Sequence, residues 1–527
     1  MESFARLLDA LLYTRSRNAK LRLIADYLRA APDPARGWAL AALTGTLDLK
    51  AVQPSLLRAL VAERVDPTLF ALSHDFVGDM AETISLLWPE PPGAKPPPPG
   101  LDDVVAQLAG LTRAEAPAAM AALLDRLDVQ GRYALIKLAT GALRIGVSAR
   151  LAKTGLAQAF GLDVEAVEEV WHGLSPPFAP LFAWATGTAP APAAGDVPVF
   201  RPFMLASPLE DGETLDLADH VAEWKWDGIR VQIVHAGGVT RLFSRTGDDI
   251  SASFPDVAQA LRQPLALDGE LLVRGQGQAD GVAAAGSFNA LQQRLGRKTP
   301  AAKLLAERPA FVRAYDLLSV AGEDLRAQPW AARRARLEAL IPALDPERFE
   351  LSPVIAAASW EQLSRLRDGA RDAAIEGLML KRRDAPYVAG RKIGLWYKWK
   401  RAPHTADCVL MYAQRGHGRR SSLYSDFTFG CWTDDGQLLP VGKAYFGFTD
   451  AELAMLDKWV RGHTTARFGP VREVEKSLVL EVAFDSIHAS TRHKSGLAMR
   501  FPRISRIRTD KPAAEADTVA ALLKLAT

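Results

Sequence analysis

The stretch Glu223-Trp-Lys225-Trp-Asp-Gly-Ile-Arg230 places a lysine between two tryptophans, directly before an Asp-Gly pair. If Lys225 lies at the end of a strand beside those rings, partial desolvation lowers its pKa and favours a neutral amine. Such an amine can attack a carbonyl carbon or a phosphorus atom. The competing interpretation is a surface lysine whose stem covers the tryptophans while its ammonium group stays in water. Taken alone, the stretch fits both interpretations.

The residues that follow this stretch predict antiparallel strands. The apolar residues Ile229, Val231 and Ile233 occupy every second position, as in a strand. Gly237-Gly238 then provides a hairpin turn. Further strand-like runs lie at residues 265–273, 311–318, 375–381 and 395–400. Because helical stretches separate several of these runs, an α+β domain with an antiparallel sheet is expected.

The regions on either side differ in character. The N-terminal region has apolar residues at helical spacing, interrupted by a proline-rich loop at 89–100, and a linker rich in Ala, Pro and Gly follows at 186–195. In the C-terminal region short β runs dominate, with one helical pattern near 452–459, which is typical of a small β-barrel. The prediction is therefore multidomain: an all-α domain at 1–190, an α+β domain at 198–402 and an all-β domain at 403–527.

Composition narrows the class of protein. The chain has 527 residues, of which 48% are hydrophobic and 24% charged, and these are ordinary globular values. Its net charge of +3 is too small to establish a nucleic-acid partner. Two cysteines, Cys408 and Cys431, exclude a disulfide scaffold and a four-cysteine zinc site. No apolar run is long enough to span a membrane, and no export signal is apparent. We therefore expect a cytoplasmic protein without membrane contact, and the prominent alanine and arginine suggest a bacterial one.

Several common catalytic motifs are missing from the sequence. It contains no G-x-x-x-x-G-K-[ST] loop, no G-x-G-x-x-G that opens a helix, and no H-E-x-x-H. A P-loop ATPase, a Rossmann dehydrogenase and a zincin are therefore disfavoured.

Other short motifs follow the first stretch in a fixed order. They are Ser244-Arg245-Thr-Gly247, Asp268-Gly-Glu270, Tyr315-Asp316, Glu376-Gly-Leu-Met379-Leu-Lys381, Trp396-Tyr-Lys398-Trp-Lys400 and Arg500-Phe-Pro-Arg503. In this order, the series resembles the nucleotidyltransferase motifs of ATP-dependent polynucleotide ligases, and most closely those of DNA ligases. The series extends from Glu223 to Lys511, more than half of the chain. Its ordered co-occurrence is far more specific than any single motif.

The resemblance implies an ATP-dependent DNA ligase that seals nicks in double-stranded DNA during repair, replication or recombination. Lys225 would attack the α-phosphorus of ATP, expel pyrophosphate and hold AMP as a phosphoramidate. AMP would pass to the 5′-phosphate at the nick, and the 3′-hydroxyl would then displace it. The implied architecture is a helical DNA-binding domain, an adenylylation domain and an OB-fold, in a monomeric protein.

The resemblance also implies the residues that recognise adenine. Glu223 lies two residues before Lys225, on the same face of an extended strand. It would accept a hydrogen bond from the adenine amine and so distinguish ATP from GTP. Tyr315, where the family usually has phenylalanine, and Met379 would cover the two faces of the base.

A second group would bind the sugar and the metal. By resemblance, Arg230 and Arg245 contact the ribose and the nearby phosphate, and Glu270 binds a ribose hydroxyl. Transfer between polyanions needs a divalent cation, Mg²⁺ or alternatively Mn²⁺, because charge must be neutralised. Glu376 is the strongest candidate for the metal, with Glu270 as a second carboxylate.

The Trp396–Lys400 motif predicts a phosphate site. Period-2 alternation puts Trp396, Lys398 and Lys400 on one strand face, where two ammonium groups repel unless an anion lies between them. The α-phosphate is that anion. Arg391 matches a basic position upstream of this motif, and Lys392 competes with it for that role.

Two further groups of basic residues are candidates for binding phosphate. A run of basic residues ends at Lys511. Such a run is usually a solvated face, but this one aligns with the last ligase motif, whose basic residues orient pyrophosphate. The candidates for that role are Arg503, Arg508 and Lys511. A Gly-Ala-Leu-Arg-Ile-Gly segment at 141–146 resembles part of the helical DNA-binding domain of larger ligases. Its candidates for contacts with backbone phosphates are Lys137, Arg144, Arg150 and Lys153. The alternative for these four is an amphipathic helix with solvated basic residues.

Two other functions share part of this pattern. An RNA ligase or a capping enzyme would have the same K-x-D-G core, although the helical region and the R-F-P-R ending argue against both. A non-catalytic nucleic-acid-binding protein could retain the fold, although the complete set of lysines and glutamates argues against it.

Overall fold

The computed structural model describes residues 1–49, 52–93, 96–141, 143–192, 196–279, 282–286, 288–295, 297, 299–370, 375–416, 422–490 and 493–525. The end of the predicted linker, residues 193–195, and residues 94–95 of the proline-rich loop lie outside these ranges. The chain forms two compact units, one of residues 1–160 with 403–527 and the other of residues 161–402. We call them unit 1 and unit 2.

The described residues before the first strand form helices. Their bounds are α1 Glu2–Tyr13, α2 Arg17–Ala30, α3 Ala35–Thr44, α4 Pro54–Ala62, α5 Pro67–Val77, α6 Met80–Leu87, α7 Leu101–Ala109, α8 Ala116–Asp125, α9 Val129–Ala139, α10 Ala149–Phe160, α11 Val164–Trp171 and α12 Ala179–Ala185. Leu21, Ile24 and Leu28 of α2 recur at helical spacing and are buried. A Cβ on Gly155 would lie 2.6 Å from Ile24, so this glycine lets α10 pack closely on α2. The helical region predicted from the sequence is confirmed.

Unit 2 contains two mixed sheets, whose strands are mainly antiparallel. Strand order is β10-β8-β6-β4-β5 along the first sheet and β11-β3-β12-β14-β2 along the second. Its strands are β1 Met204–Leu205, β2 Ser207–Pro208, β3 His220–Trp226, β4 Ile229–Ala236, β5 Val239–Phe243, β6 Leu265–Ala279, β7 Val282–Ala285, β8 Ala310–Val320, β9 Glu323–Asp324, β10 Phe349–Leu351, β11 Val354–Ile355, β12 Ile375–Arg382, β13 Gly390–Arg391 and β14 Trp396–Lys400. Its further helices are α13 Pro255–Ala258, α14 Phe288–Gln292, α15 Ala302–Glu307, α16 Trp330–Leu340 and α17 Trp360–Gly369. The strand-like runs predicted at 265–273, 311–318, 375–381 and 395–400 correspond to β6, β8, β12 and β14.

The hydrophobic core of unit 2 has three parts, because both faces of each sheet are buried. Between the sheets, Val221 of β3 and Trp396 of β14 pack with Val234 of β4. On the far side of the first sheet, β-strand residues pack with Leu337 of α16. On the far side of the second sheet, they pack with Leu363 of α17. The polar residues described below lie among the strands that face one another.

The C-terminal part of unit 1 consists mainly of strands. They are β15 His404–Arg415, β16 Tyr424–Trp432, β17 Leu438–Ala444, β18 Thr464–Phe468, β19 Val471–Val474, β20 Val479–Phe484, β21 Ser486–Ala489, β22 Leu497–Arg500 and β23 Arg503–Arg508. Strand order is β17-β16-β15-β19-β18, and β20 pairs with both β15 and β23. Two helices, α18 Asp450–Gly462 and α19 Val519–Leu523, pack on this sheet, and Thr449 with Glu452 forms a capping box at the start of α18. The helix predicted near 452–459 is confirmed. No helix among the described residues is long and apolar enough to cross a membrane.

Candidate active site

The side chain of Lys225 points into unit 2 from the end of β3. Its Nζ donates a hydrogen bond to Oε2 of Glu376, at 2.6 Å, and Nζ of Lys400 lies 3.0 Å from the same oxygen. Burial by itself would raise the pKa of Glu376, but the two ammonium groups outweigh it and lower the pKa to about 2. Glu376 is therefore an ionised carboxylate shared by two lysines.

An irregularity in β12 brings Glu376 to this position. Gly377 pairs with Lys225, and the register shifts between Ile375 and Gly377. Gly377 has a φ of 148°, and a Cβ there would collide with the carbonyl oxygen of Trp399 on β14. Only glycine accepts both constraints, so the Glu-Gly pair of this motif is needed for the close packing of β12 against β14.

The Asp227-Gly228 pair after Lys225 makes the turn into β4. A Cβ on Gly228 would collide with the carbonyl oxygen of Leu271, so glycine is required where β4 approaches β6. The resulting register places Arg230 directly opposite Glu270. The motif thus connects the strand of Lys225 to the strand pair that carries the next predicted site residues.

Glu270 is a partly buried acid near Lys225. Burial raises the pKa of Glu270 to about 8, although the charges of Lys225 and Arg230 oppose the rise. Such a carboxyl group lacks sufficient positive charge nearby, and a bound cation would supply it. Within the described ranges, no three His, Cys, Asp or Glu residues are grouped to hold a metal ion. Two carboxylates with phosphate oxygens and waters are nevertheless a suitable donor set for Mg²⁺.

The predicted adenine-binding residues lie around a buried ion pair. Glu223 is 1% exposed, and Oε1 of its carboxylate accepts a hydrogen bond from Nζ of Lys381 at 3.0 Å. Nζ of Lys381 also lies 4.5 Å from the centre of the Tyr315 ring. Met379 pairs with Glu223 across β12 and β3 and is partly buried. Lys381 belongs to the Glu376–Lys381 motif but is not predicted from the sequence as a site residue, although it is the hydrogen-bond partner of the buried Glu223.

Arg230 is held by protein groups. Its guanidinium group donates two hydrogen bonds to Asp268, at 3.1 and 2.7 Å, and one to the carbonyl oxygen of Met204 at 2.8 Å. The Tyr387 hydroxyl donates to the same carboxylate at 2.6 Å. Burial by itself would lower the pKa of Arg230, but the charge of Asp268 opposes it, and the pKa lies well above its ordinary value. Sequence reasoning missed Asp268 and Tyr387; Asp268 begins the Asp-Gly-Glu motif, which was interpreted only for Glu270.

Four cationic side chains act electrostatically on Lys398. Burial lowers the pKa of Lys398, and the charges of Lys400, Arg391, Lys225 and Arg245 lower it further. The structure therefore brings together the basic residues that the sequence predicted for phosphate. Arg391 is among these charges, and the choice between Arg391 and Lys392 for the upstream basic position stays a prediction.

The residues predicted to orient pyrophosphate lie in unit 1. Arg503 pairs with Asp485 at 3.0 Å. Arg508 and Lys511 share Asp407, at 3.1 and 2.7 Å from its Oδ2. Asp407 was not predicted; it lies on β15, about a hundred residues before its partners, and no local pattern indicated it.

The predicted DNA-contacting residues separate into two groups. Lys137 and Lys153 are buried, and Nζ of Lys137 pairs with Asp79 at 2.6 Å. Their burial argues against the predicted contacts of these two lysines with backbone phosphates. Arg144 and Arg150 are exposed. Lys20 of α2, which sequence reasoning missed, donates to the carbonyl oxygens of residues 145 and 146 at 2.8 and 2.9 Å and so holds the loop that carries Arg144.

Comparisons with known proteins place the chain in a family. A model described as "ATP dependent DNA ligase domain" matches residues 203–400, and "ATP dependent DNA ligase C terminal region" matches residues 420–511. A probable DNA ligase of Koribacter versatilis is 37% identical over 431 residues, which cover 75% of this chain and 72% of that protein. The chain belongs to the ATP-dependent DNA ligase family. A probable DNA ligase of an Anaeromyxobacter species is 36% identical, over 81% of this chain and 82% of the relative.

A solved structure named "Pmar-Lig_PreS3" covers 96% of this ligase and 99% of its own chain, with a TM-score of 0.59 and 16% identity. This likeness shows a shared multidomain fold. As a family member, the ligase uses ATP and joins DNA ends through the lysyl-AMP and DNA-adenylate intermediates that are general to the family. The prediction of a DNA ligase is confirmed over an RNA ligase, a capping enzyme or a non-catalytic binding protein.

Proposed function

We propose that Lys225 is the residue of this ligase that becomes adenylylated, and that the enzyme seals nicks in duplex DNA. The observation that carries the proposal is the 2.6 Å contact between Nζ of Lys225 and Glu376, within a cluster of basic side chains. A polyphosphate is the ligand that such a cluster stabilises, because each added phosphate oxygen relieves repulsion between the cations.

The transfer requires the following changes at Lys225. Its ammonium group loses a proton to the solvent, Nζ bonds to the α-phosphorus, and the bond from that phosphorus to the bridging oxygen breaks, so pyrophosphate leaves. A carboxyl group with a pKa of about 2 is a poor proton acceptor, so Glu376 would orient the amine rather than act as a general base. Lys398 and Lys400 would stabilise the charge that develops on the α-phosphate.

Mg²⁺, or alternatively Mn²⁺, would be held by Glu376 and Glu270 together with phosphate oxygens and waters. The bound ion would neutralise phosphate charge during the transfer. The raised pKa of Glu270 supports this assignment, because a partly buried acid with too little positive charge nearby gains most from a divalent cation.

The remaining assignments follow the arrangement of side chains in unit 2. Glu223 would accept a hydrogen bond from the adenine amine while Lys381 pairs with its carboxylate, and Tyr315 and Met379 would cover the base. Arg230 would act near the ribose from its fixed position on Asp268, whereas Arg245 and Arg391 would reach the phosphates.

The domain assignment is also part of the proposal. We assign a helical DNA-binding domain to 1–190, the adenylylation domain to 198–402 and an OB-fold to 403–527. The protein would act as a monomer in the bacterial cytoplasm. Exposure supports Arg144 and Arg150 as DNA contacts. Arg503, Arg508 and Lys511 would orient pyrophosphate during self-adenylylation.

One experiment tests the central proposal. The protein is incubated with ATP labelled at the α-phosphate and Mg²⁺, and nicked duplex DNA is then added. Label should appear on the denatured protein at Lys225, move to the 5′ end of the nick and leave as AMP when the strand is sealed. Label that maps to another lysine would overturn the assignment.

A further inference from the structure

A second basic site lies in unit 1, separate in sequence from every residue assigned to ATP. It is a cavity of about 450 Å³ that we call the arginine pocket. The end of α5, at Asp75 and Phe76, forms one wall. Strands β15, β16, β18 and β19 and the end of α18 form the rest. Among the described residues, four arginines line it: Arg415, Arg461, Arg467 and Arg472.

Most of this positive charge is not neutralised by residues that the structure describes. Arg461 pairs with Asp457 at 2.7 Å, but no carboxylate in the described parts of the chain pairs with Arg415 or Arg467. Among the described residues, Arg472 donates to two backbone carbonyl oxygens, those of Gly469 at 2.7 Å and Val471 at 3.3 Å. Asp75 is the one acid among the lining residues that the structure describes. The pocket therefore holds more cations than anions.

Two details of the pocket indicate a ligand. Nε of Arg415 is buried and has no hydrogen-bond acceptor among the described residues, while its guanidinium group lies 5.4 Å from the Phe76 ring and 5.8 Å from the Tyr424 ring. The two rings orient the guanidinium group but leave its Nε without a hydrogen-bond acceptor. Arg467 and Arg472 are directly opposite each other on β18 and β19. Like charges in that arrangement are destabilising unless an anion lies near both.

We infer that the arginine pocket is an anion site that holds a phosphate group. Guanidinium groups match phosphate oxygens in geometry and stay charged at any physiological pH, which favours phosphate over a neutral ligand. The phosphate can come from the backbone of bound DNA or from a free polyphosphate, since both present the same oxygens. The cavity is larger than one phosphate group, so a linked series of phosphates fits it.

In the test, the binding of tripolyphosphate to the full chain is measured by calorimetry in metal-free buffer. The wild type should bind at two sites, one at the Lys398–Lys400 cluster and one at the arginine pocket. Arg415→Gln and Arg467→Gln should each weaken the second site at least tenfold. Arg113→Gln, an exposed arginine outside the pocket, is the matched control and should leave both sites unchanged. Because Arg467 lies on an exposed hairpin, its variant keeps the test valid if Arg415→Gln fails to fold.

A second measurement distinguishes the two sources of phosphate. The affinity for nicked duplex DNA is measured against salt concentration for the same variants. If a backbone phosphate fills the pocket, the slope of log K against log salt should fall by about 0.9 for each arginine removed. If the slope is unchanged while tripolyphosphate binding is lost, the ligand is a free polyphosphate. Unchanged tripolyphosphate binding and an unchanged slope would together overturn the inference. Self-adenylylation should persist in every variant, so this result is independent of the assignment of Lys225.

Discussion

Nζ of Lys225 and Oε2 of Glu376 lie 2.6 Å apart although 151 residues separate them in the chain. The contact depends on the pairing of β3 with β12 and on the irregularity at Gly377, which turns the carboxylate toward the lysine. It fixes the amine on the side where Lys398 and Lys400 also lie. Lys225 is thus positioned by a residue that lies too far along the chain for local periodicity to pair the two.

Replacing Lys225 with alanine should abolish covalent labelling by α-labelled ATP, because it removes the amine that we assign as the nucleophile. Lys303→Ala is a suitable control, since the Lys303 side chain is 84% exposed and lies outside the site. Gel electrophoresis of the denatured protein measures the label. Labelling of Lys225→Ala at the wild-type level would disprove the assignment.

Glu270 should make the metal-free protein less stable as the pH rises. Its pKa is about 8 in the folded chain, whereas the ordinary value is 4.5, so the folded state binds the extra proton between these values. Stability from this group is present below pH 4.5 and is lost as the pH rises toward 8. Glu270→Gln should therefore have a Tm several degrees above the wild type at pH 8, and an equal Tm at pH 4.5. Thermal unfolding in EDTA measures both, with the exposed Glu307→Gln as control. An equal Tm at both pH values would contradict the raised pKa.

Glu223→Ala should weaken discrimination between ATP and GTP, because a lost hydrogen bond in a buried site is worth about 1–3 kcal/mol. The variant also leaves the Lys381 ammonium group buried without its partner, which should cost ~3–5 kcal/mol of stability. The double variant Glu223→Ala/Lys381→Met should recover much of the stability but not the discrimination. Denaturant unfolding and the ratio of ATP to GTP adducts separate the two effects. Unchanged nucleotide selectivity would show that adenine is recognised elsewhere.

Arg144 and Lys137 should respond differently to substitution, although the sequence predicted the same role for both. Arg144→Gln should lower the salt dependence of DNA binding, by a slope of about 0.9, if this exposed residue meets a phosphate. Lys137→Met should leave the slope unchanged and destabilise the helical region, because it removes the partner of Asp79. A slope that falls for Lys137→Met instead would mean that the buried lysine becomes exposed when DNA binds.

Lys511→Ala should slow self-adenylylation but leave the sealing of a pre-adenylylated nick near the wild-type rate. The reason is that pyrophosphate leaves only in the first step. Lys524→Ala, a change of the same charge nearby in the chain, is the control. Equal losses in both reactions would show that Lys511 has a structural role through Asp407 rather than a role in orienting pyrophosphate.

Much of the fold could be predicted from periodicity. The alternation at Ile229–Ile233 and the Gly237-Gly238 turn correspond to the β4–β5 hairpin, and the helix near 452–459 corresponds to α18. Short pairings such as β1 with β13 were not predicted, because two-residue strands have no period to detect. The arrangement of strands into two facing sheets also depends on contacts that local sequence does not encode.

The sequence by itself determined the chemistry: a lysine in K-x-D-G, acids and bases in a fixed order, and therefore the ligase family. These follow from residue types and spacing, which the chain carries without folding. Only the tertiary structure decided which charges are paired and which are buried. Glu223 with Lys381, Arg230 with Asp268, and Lys137 with Asp79 are each separated by dozens of residues or more. Periodicity indicates which face of a strand or helix a side chain occupies, but burial and pairing depend on what packs against that face, and distant segments of the chain supply those partners.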